Sequence, residues 1–161
     1  DAKFVFERVG YNLEGSEIGA AFGLEQLKKL EKNIIIRKNN FKIQTQFFSK
    51  FPDFFSCPEE NPRSSTAWLA FPILIKKGCP FRRKDFQIYL EKRNIQTRVV
   101  FTGNIIRQPM MKGTKYKTRL DGYANSDAVM ERGVLLPLHH GMSNSMFERF
   151  FAVVEEFLNQ Y

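Results

Sequence analysis

Apolar residues recur along this chain with two different periods, and the changes of period mark its elements. Ala20, Ala21, Leu24, Leu27 and Leu30 fall three and four apart, the spacing of one buried helical face, and Ser16 is placed to cap the start. Gly19 and Gly23 lie four apart on that helix. Each weakens it by up to about 1 kcal/mol relative to Ala, so a close backbone approach to a neighbouring helix or subunit is expected there. Near Asn33 the period shifts. A second helix is predicted over about 34–49, with Ile34, Phe41 and Phe48 at heptad spacing and Arg37, Lys38, Lys42 and Lys50 toward solvent. Pro52 stops it, and a loop rich in Pro and polar residues follows over 56–65.

From there the pattern alternates. Residues 68–75 read as a strand, which Pro72 demotes toward an edge or a bulge. Residues 81–93 read as an amphipathic helix with Phe86, Tyr89 and Leu90 on its apolar side. A central strand follows in 97–101, read as buried, because Thr97, Val99, Val100 and Phe101 are β-branched or aromatic. Asn125 or Ser126 caps a short helix through Met130, and Val134, Leu135 and Leu136 form a third strand ending at Pro137. Ser143 caps a terminal helix whose buried face carries Phe147, Phe150, Phe151, Val154 and Phe157 or Leu158. The order predicts an α/β (α+β) fold: a two-layer sandwich in which a small, mostly antiparallel or mixed sheet carries helices on one face, preceded by a long helical segment.

The chemistry concentrates in 94–109. Arg98 sits inside an apolar run, where a lone charge is costly to bury without a partner. Gly103 lets the backbone turn, Asn104 can hydrogen-bond it, and Arg107 follows. Two guanidiniums and an amide around a strand-end glycine suit an anionic or polyhydroxylated ligand, since Arg presents a planar fork of donors. The alternative is structural: Arg98 pairs with a carboxylate and Asn104 only makes the turn.

Composition narrows the class. The 161 residues are enough for one domain with a real core, and 43% apolar content argues against disorder. No apolar run approaches the roughly 20 residues that span a bilayer, so no membrane partner is expected. The net charge of +8 attracts anions, but its lysines and arginines are spread along the chain, which weakens a nucleic-acid reading. Seventeen Phe point to an aromatic core and a face meant to be covered by another domain or subunit. Cys57 and Cys79 have no metal-ligand spacing, so no metal site is expected, and a reduced, cytoplasmic protein fits. A chain opening Asp1-Ala2-Lys3-Phe4-Val5-Phe6, with no signal-peptide pattern, reads as a piece of something longer.

Several stretches together resemble one family. Arg8-Val9-Gly10-Tyr11-Asn12-Leu13, then Ala20-Ala21-Phe22-Gly23-Leu24-Glu25-Gln26-Leu27, is similar to a segment of the DegT/DnrJ/EryC1/StrS nucleotide-sugar aminotransferases and dehydratases. These are fold type I enzymes that use pyridoxal phosphate. The pattern Thr97-Arg98, Phe101, Gly103-Asn104, Arg107-Gln108-Pro109 resembles the CDP-4-keto-6-deoxyglucose-3-dehydrase branch, and Asn125, Asp127, Met130 and Leu136-Pro137-Leu138-His139 match the wider family. The resemblance implies that residues 1–161 are a single C-terminal small domain, with the large cofactor-holding domain absent. It also implies deoxygenation at C3 of a nucleotide-linked 4-keto-6-deoxyhexose on pyridoxal or pyridoxamine phosphate, in deoxysugar and lipopolysaccharide biosynthesis, by a homodimer that can draw on an iron–sulfur flavin reductase.

By position in the motifs, Asn12 and Tyr11 are expected at the cofactor phosphate of a neighbouring subunit. Arg8, Arg98, Asn104, Arg107 and His139 are expected at the sugar nucleotide, and no catalytic residue is expected within this piece. His139 has a plainer alternative as a turn residue bonded to its own backbone. Cys57 and Cys79 do not reproduce the family's iron–sulfur cysteines. Two competing readings are a fragment of a nucleotide-sugar aminotransferase, against which 97–109 argues, and a basic nucleic-acid-binding module using the Lys- and Tyr-bearing loop 110–123.

Overall fold

The computed structural model describes Tyr11, Leu13, residues 15–119 and residues 122–161. The chain divides into two compact units, Asp1–Asn33 and Ile34–Tyr161. The boundary falls inside helix α1 (Glu17–Phe48), whose first turn is capped by Ser16: its Oγ accepts from the Gly19 amide at 3.3 Å. Where two helices were expected there is one. Asn33 is neither Gly nor Pro, and the shift of apolar phase marks a change in what the helix packs on, not an end of the helix.

In the first unit the apolar positions of α1 stand in solvent: Leu24 is 62% and Leu27 63% exposed. The spacing is that of a face, but burial needs a second surface, which periodicity cannot supply. Within the chain no neighbouring helix makes the close approach expected at Gly23: among the described residues nothing lies within 4 Å of a Cβ built there.

The second unit carries the core. Strands β1 (Phe55–Ser56), β2 (Phe71–Ile75), β3 (Arg98–Val99) and β4 (Gly133–Leu136) form one antiparallel sheet in the order β1-β2-β4-β3. Helices α2 (Arg83–Glu91), α3 (Ala124–Arg132) and α4 (Asn144–Leu158) complete a two-layer α/β sandwich with helices on one face. Alternation along β2 turns Phe71, Ile73 and Ile75 into the core and leaves Pro72 and Leu74 half-buried. Its partner β4 buries Val134 and Leu136. Against this face pack Phe48 of α1, Phe86 and Leu90 of α2, and Phe150, Val154 and Phe157 of α4. Phe48 stacks on Phe71 with centroids 5.5 Å apart, and Phe47 stacks on Phe151 at 4.0 Å. Ser143 caps α4 as expected, its hydroxyl accepting from the Met146 amide.

Three strand expectations change. The 97–101 run is not a buried strand: β3 has two residues, both exposed, at the edge of the sheet. Of that run only Thr97 is buried, so its β-branched composition reflects pairing with β4 and not enclosure. Pro72 lies on an inner strand, but β1 pairs only with Leu74 and Ile75, so β2 is an edge at Pro72 itself. Strand β1 was not predicted, because two residues carry no period. Arg37 and Lys38 are half-buried where solvent exposure was expected, bonded to the Trp68 carbonyl and the Ser65 hydroxyl.

Phe48→Ala removes a fully buried ring from the contact between α1 and the sheet. It should cost about 3–5 kcal/mol of unfolding free energy in urea titration. Phe22→Ala, at a site 69% exposed, should stay within about 0.5 kcal/mol of the parent.

Candidate functional site

Helix α2 ends in a turn that aims the next segment. The Leu90 carbonyl accepts from the amides of Arg93 and Ile95, and Asn94 adopts φ +58°, a left-handed conformation that Asn tolerates better than most residues. Buried Thr97 is then clamped to the helix just left. Glu91 Oε1 accepts from its amide at 2.6 Å and its hydroxyl at 2.9 Å, while Gln87 donates to the same hydroxyl at 3.1 Å. Arg98 follows immediately, paired across β3 and β4 with Leu135. It is exposed, and among the described residues no hydrogen bond or ion pair engages its guanidinium.

Beyond β3 the chain is pinned to α3. Gly103, at φ +67°, presses so closely on α3 that a Cβ there would lie 2.3 Å from the Met130 Cβ. Asn104 is buried: its Oδ1 accepts from the Ile106 amide, and its Nδ2 donates to Asp127 Oδ1 at 2.7 Å. Arg107 donates to both oxygens of the same carboxylate, at 3.0 and 2.9 Å. Those donors hold the Asp127 carboxyl down at about 2, with Arg107 the larger cause and Asn104 the second. The expected trio therefore divides: Asn104 and Arg107 are engaged by Asp127, and Arg98 is left with its fork free.

Arg98 lines a cleft of about 670 Å³ together with His139, which the resemblance also singled out. The walls come from Leu69 and Ala70 before β2, from the Asn94–Arg98 approach, from β4 and the turn after it, and from the start of α4. Two buried amides of α1 hold that turn: Gln44 donates to the Pro137 carbonyl at 2.7 Å and Asn40 to the His139 carbonyl at 2.8 Å. His139 Nδ1 accepts from the Gly141 amide at 3.1 Å, so the neutral ring carries its proton on Nε2 and is a donor there. The backbone bond suggested as the plainer alternative thus exists, and it coexists with a place in the cleft.

Arg149 also lines the cleft and donates to the Arg93 carbonyl. Sequence reasoning passed over it, having followed only the apolar face of α4. The signal was there: Ser145, Met146 and Arg149 recur at three- and four-residue spacing on another side of that helix, and all three line the cleft. Among the described residues no carboxylate lines it. Two guanidiniums, an imidazole, a hydroxyl and two amides beside Leu69, Leu135, Met142 and Met146 fit a ligand with an anionic, hydroxylated part and an apolar part. Among the described residues the cleft offers no lysine amine to join a cofactor aldehyde, so its donor set fits a substrate better than pyridoxal phosphate. Of the residues expected at the cofactor, Tyr11 is 87% exposed, and Asn12, like Arg8, lies outside the described residues.

Among the described residues no helix is long and apolar enough to cross a membrane, and no cluster of His, Cys, Asp and Glu is suited to a metal ion. Burial pushes the Cys57 and Cys79 thiols up, away from nucleophilic use.

The profile of the DegT/DnrJ/EryC1/StrS aminotransferase family matches residues 1–155. The chain is 31% identical, over 98% of its length, to lipopolysaccharide biosynthesis protein RfbH of Salmonella typhimurium, of which it covers 36%. It is 32% identical, again over 98%, to dTDP-4-dehydro-2,6-dideoxy-D-glucose 3-dehydratase of Saccharopolyspora spinosa, covering 34% of that protein. Its fold superposes with a TM-score of 0.80 on E. coli GDP-4-keto-6-deoxy-D-mannose-3-dehydratase with bound hydrated PLP, at 25% identity, over 93% of this chain and 38% of the other. The chain thus spans little more than a third of the proteins it matches.

The Asp127 carboxylate titrates lower in the folded chain than in the unfolded one, whose value is near 3.9. Its contribution to stability is therefore complete above about pH 4 and is lost as pH falls toward 2. Asp127→Asn should flatten the fall of melting temperature over that window relative to the parent chain, as read by circular dichroism.

Proposed function

Because this chain belongs to the DegT/DnrJ/EryC1/StrS aminotransferase family, we propose that it is the C-terminal, small-domain part of a pyridoxal-phosphate-dependent nucleotide-sugar 3-dehydratase, and that its Arg98 cleft receives the sugar nucleotide. The observation that carries this reading is the guanidinium of Arg98, unpaired among the described residues, in a cleft that they line with a second arginine and no carboxylate. A diphosphate offers the oxygen pairs that an Arg fork matches with two parallel hydrogen bonds. His139 Nε2 and Ser145 supply donors for sugar hydroxyls, and Leu69, Leu135 and the two methionines an apolar wall. The 97–109 segment favours a dehydratase over an aminotransferase, in keeping with the names of the Saccharopolyspora and E. coli relatives.

In this reading each residue has a distinct task. Arg98, with Arg149, binds and orients the phosphates. The Glu91–Thr97 clamp fixes where Arg98 leaves the backbone. Asn104 and Arg107, held by Asp127, serve the site by anchoring the loop that follows Arg98. Tyr11 and Asn12 meet the cofactor phosphate of a neighbouring subunit in a homodimer, and Arg8 beside them meets the sugar nucleotide. The cofactor, when bound, supplies the electron sink that lets the C3 hydroxyl leave, and the protein supplies orientation and charge. Residues that hold the cofactor ring belong to the remaining two-thirds of such an enzyme, so this chain by itself binds substrate without turning it over.

Calorimetric titration of the chain with CDP-glucose and GDP-glucose tests this. Arg98→Ala should weaken binding about 10- to 100-fold, the worth of about 1.5–3 kcal/mol for charge-assisted hydrogen bonds. Arg98→Lys should recover only part of it, because an ammonium keeps the charge but loses the fork. Equal affinity in parent and Arg98→Ala chains would overturn the assignment.

A further inference from the structure

A second cleft, of about 790 Å³, lies between the turn after β2 and helix α3 and shares no lining residue with the first. Six cations line it: Lys76, Lys77, Arg82, Arg83, Lys84 and Arg132. Two acids face them, Asp127 and Glu131, and Asp127 is already engaged by Arg107. Arg82 is itself paired with Asp85 at 3.0 Å, so the excess of positive charge in this concavity rests on Lys76, Lys77, Arg83, Lys84 and Arg132.

Two of these cations are held in place by the backbone. Half-buried Arg83 donates to the Met130 carbonyl at 2.8 Å, and half-buried Arg132 donates to the Ile75 carbonyl. Each spends one nitrogen on that contact and keeps the rest of its fork. Lys76, Lys77 and Lys84 are exposed and make no ion pair among the described residues. Two helices also begin here: Arg83 and Lys84 open α2, while Ala124 and Asn125 open α3. Asp85 accepts from the Arg82 amide at the start of α2 and Asp127 stands in the first turn of α3, so the helix dipoles are partly offset and the side chains supply most of the field. Apolar surface from Ile75 and Phe81 completes the lining.

We propose that this cleft is a binding site for a polyphosphorylated small molecule, one carrying a di- or triphosphate group. A single carboxylate would leave most of the cations unmatched, whereas a linked run of phosphates brings several charges into one cavity and fits both Arg forks and helix N-termini. The cations surround a cavity in the size range of small-molecule sites and do not form the extended stripe that tracks a nucleic-acid backbone. This site is distinct from the Arg98 cleft and does not depend on what that cleft binds.

The test is calorimetric titration of the whole chain with inorganic triphosphate at 50 mM and 200 mM salt, repeated on two variants. Lys77→Ala/Lys84→Ala changes exposed side chains without touching the carbonyl contacts of Arg83 and Arg132. Its melting curve should match the parent's, and it should bind triphosphate at least tenfold more weakly. The charge-preserving Lys77→Arg/Lys84→Arg should bind within about twofold of the parent, as should Arg98→Ala. Loss of triphosphate binding in Arg98→Ala with retention in the double alanine variant would overturn the proposal, because the phosphates would then occupy the other cleft. So would absence of saturable binding at 50 mM salt, or affinity for single-stranded oligonucleotides that exceeds that for triphosphate and rises with their length.

Discussion

Phe48 stacked on Phe71 is the contact on which the second unit is hung. Both rings are fully buried, and between them they join helix α1 to the inner strand pair β2–β4. Phe55, Phe81, Phe86 and Phe157 extend the same packing across to α2 and α4 in tilted and edge-on pairs. Offset and edge-on geometry lets many rings share one core without the repulsion of face-to-face quadrupoles. This accounts for the phenylalanines of the core, though not for exposed Phe22 and Phe101. Both clefts form where loops and helix ends leave the rim of this packed sheet.

Polar side chains on the helices then position the candidate ligand contacts around that sheet. Asn40 and Gln44 lie buried on α1 and reach the carbonyls of the turn after β4, so the packing that orders the core also places His139. Glu91 and Gln87 do the same for Thr97 and thereby for Arg98. Asp127 does it for Asn104 and Arg107. In each case a side chain on a helix captures a backbone or side-chain group on a loop. Loops carry the candidate ligand contacts, and helices remove their freedom.

The two clefts use positive charge in different ways. In the first, a few donors stand among apolar walls, which suits orientation of one ligand with mixed character. In the second, many cations build a field, which suits a compact polyanion. The chain's basic balance thus has a spatial meaning that its even spread along the sequence conceals.

What could be read from the sequence alone was local in origin. The faces of α2 and α4, the Ser16 and Ser143 caps, the turn at Gly103 and Asn104, the two-layer class and the family likeness all rest on residues within a few positions of one another. What only the tertiary structure decided was partnership across distance. The 97–101 run is an edge because β4 entered the sheet beside it. Among the described residues Arg107 is paired and Arg98 is not, because α3 brings Asp127 to one and not to the other. Arg149 reaches the first cleft, and Arg132 the second, from helices whose apolar periodicity says nothing about their polar sides. Period and propensity report which face a segment turns inward. The partner of a charge depends on which segments the closed core makes neighbours, and no single stretch of sequence contains that information.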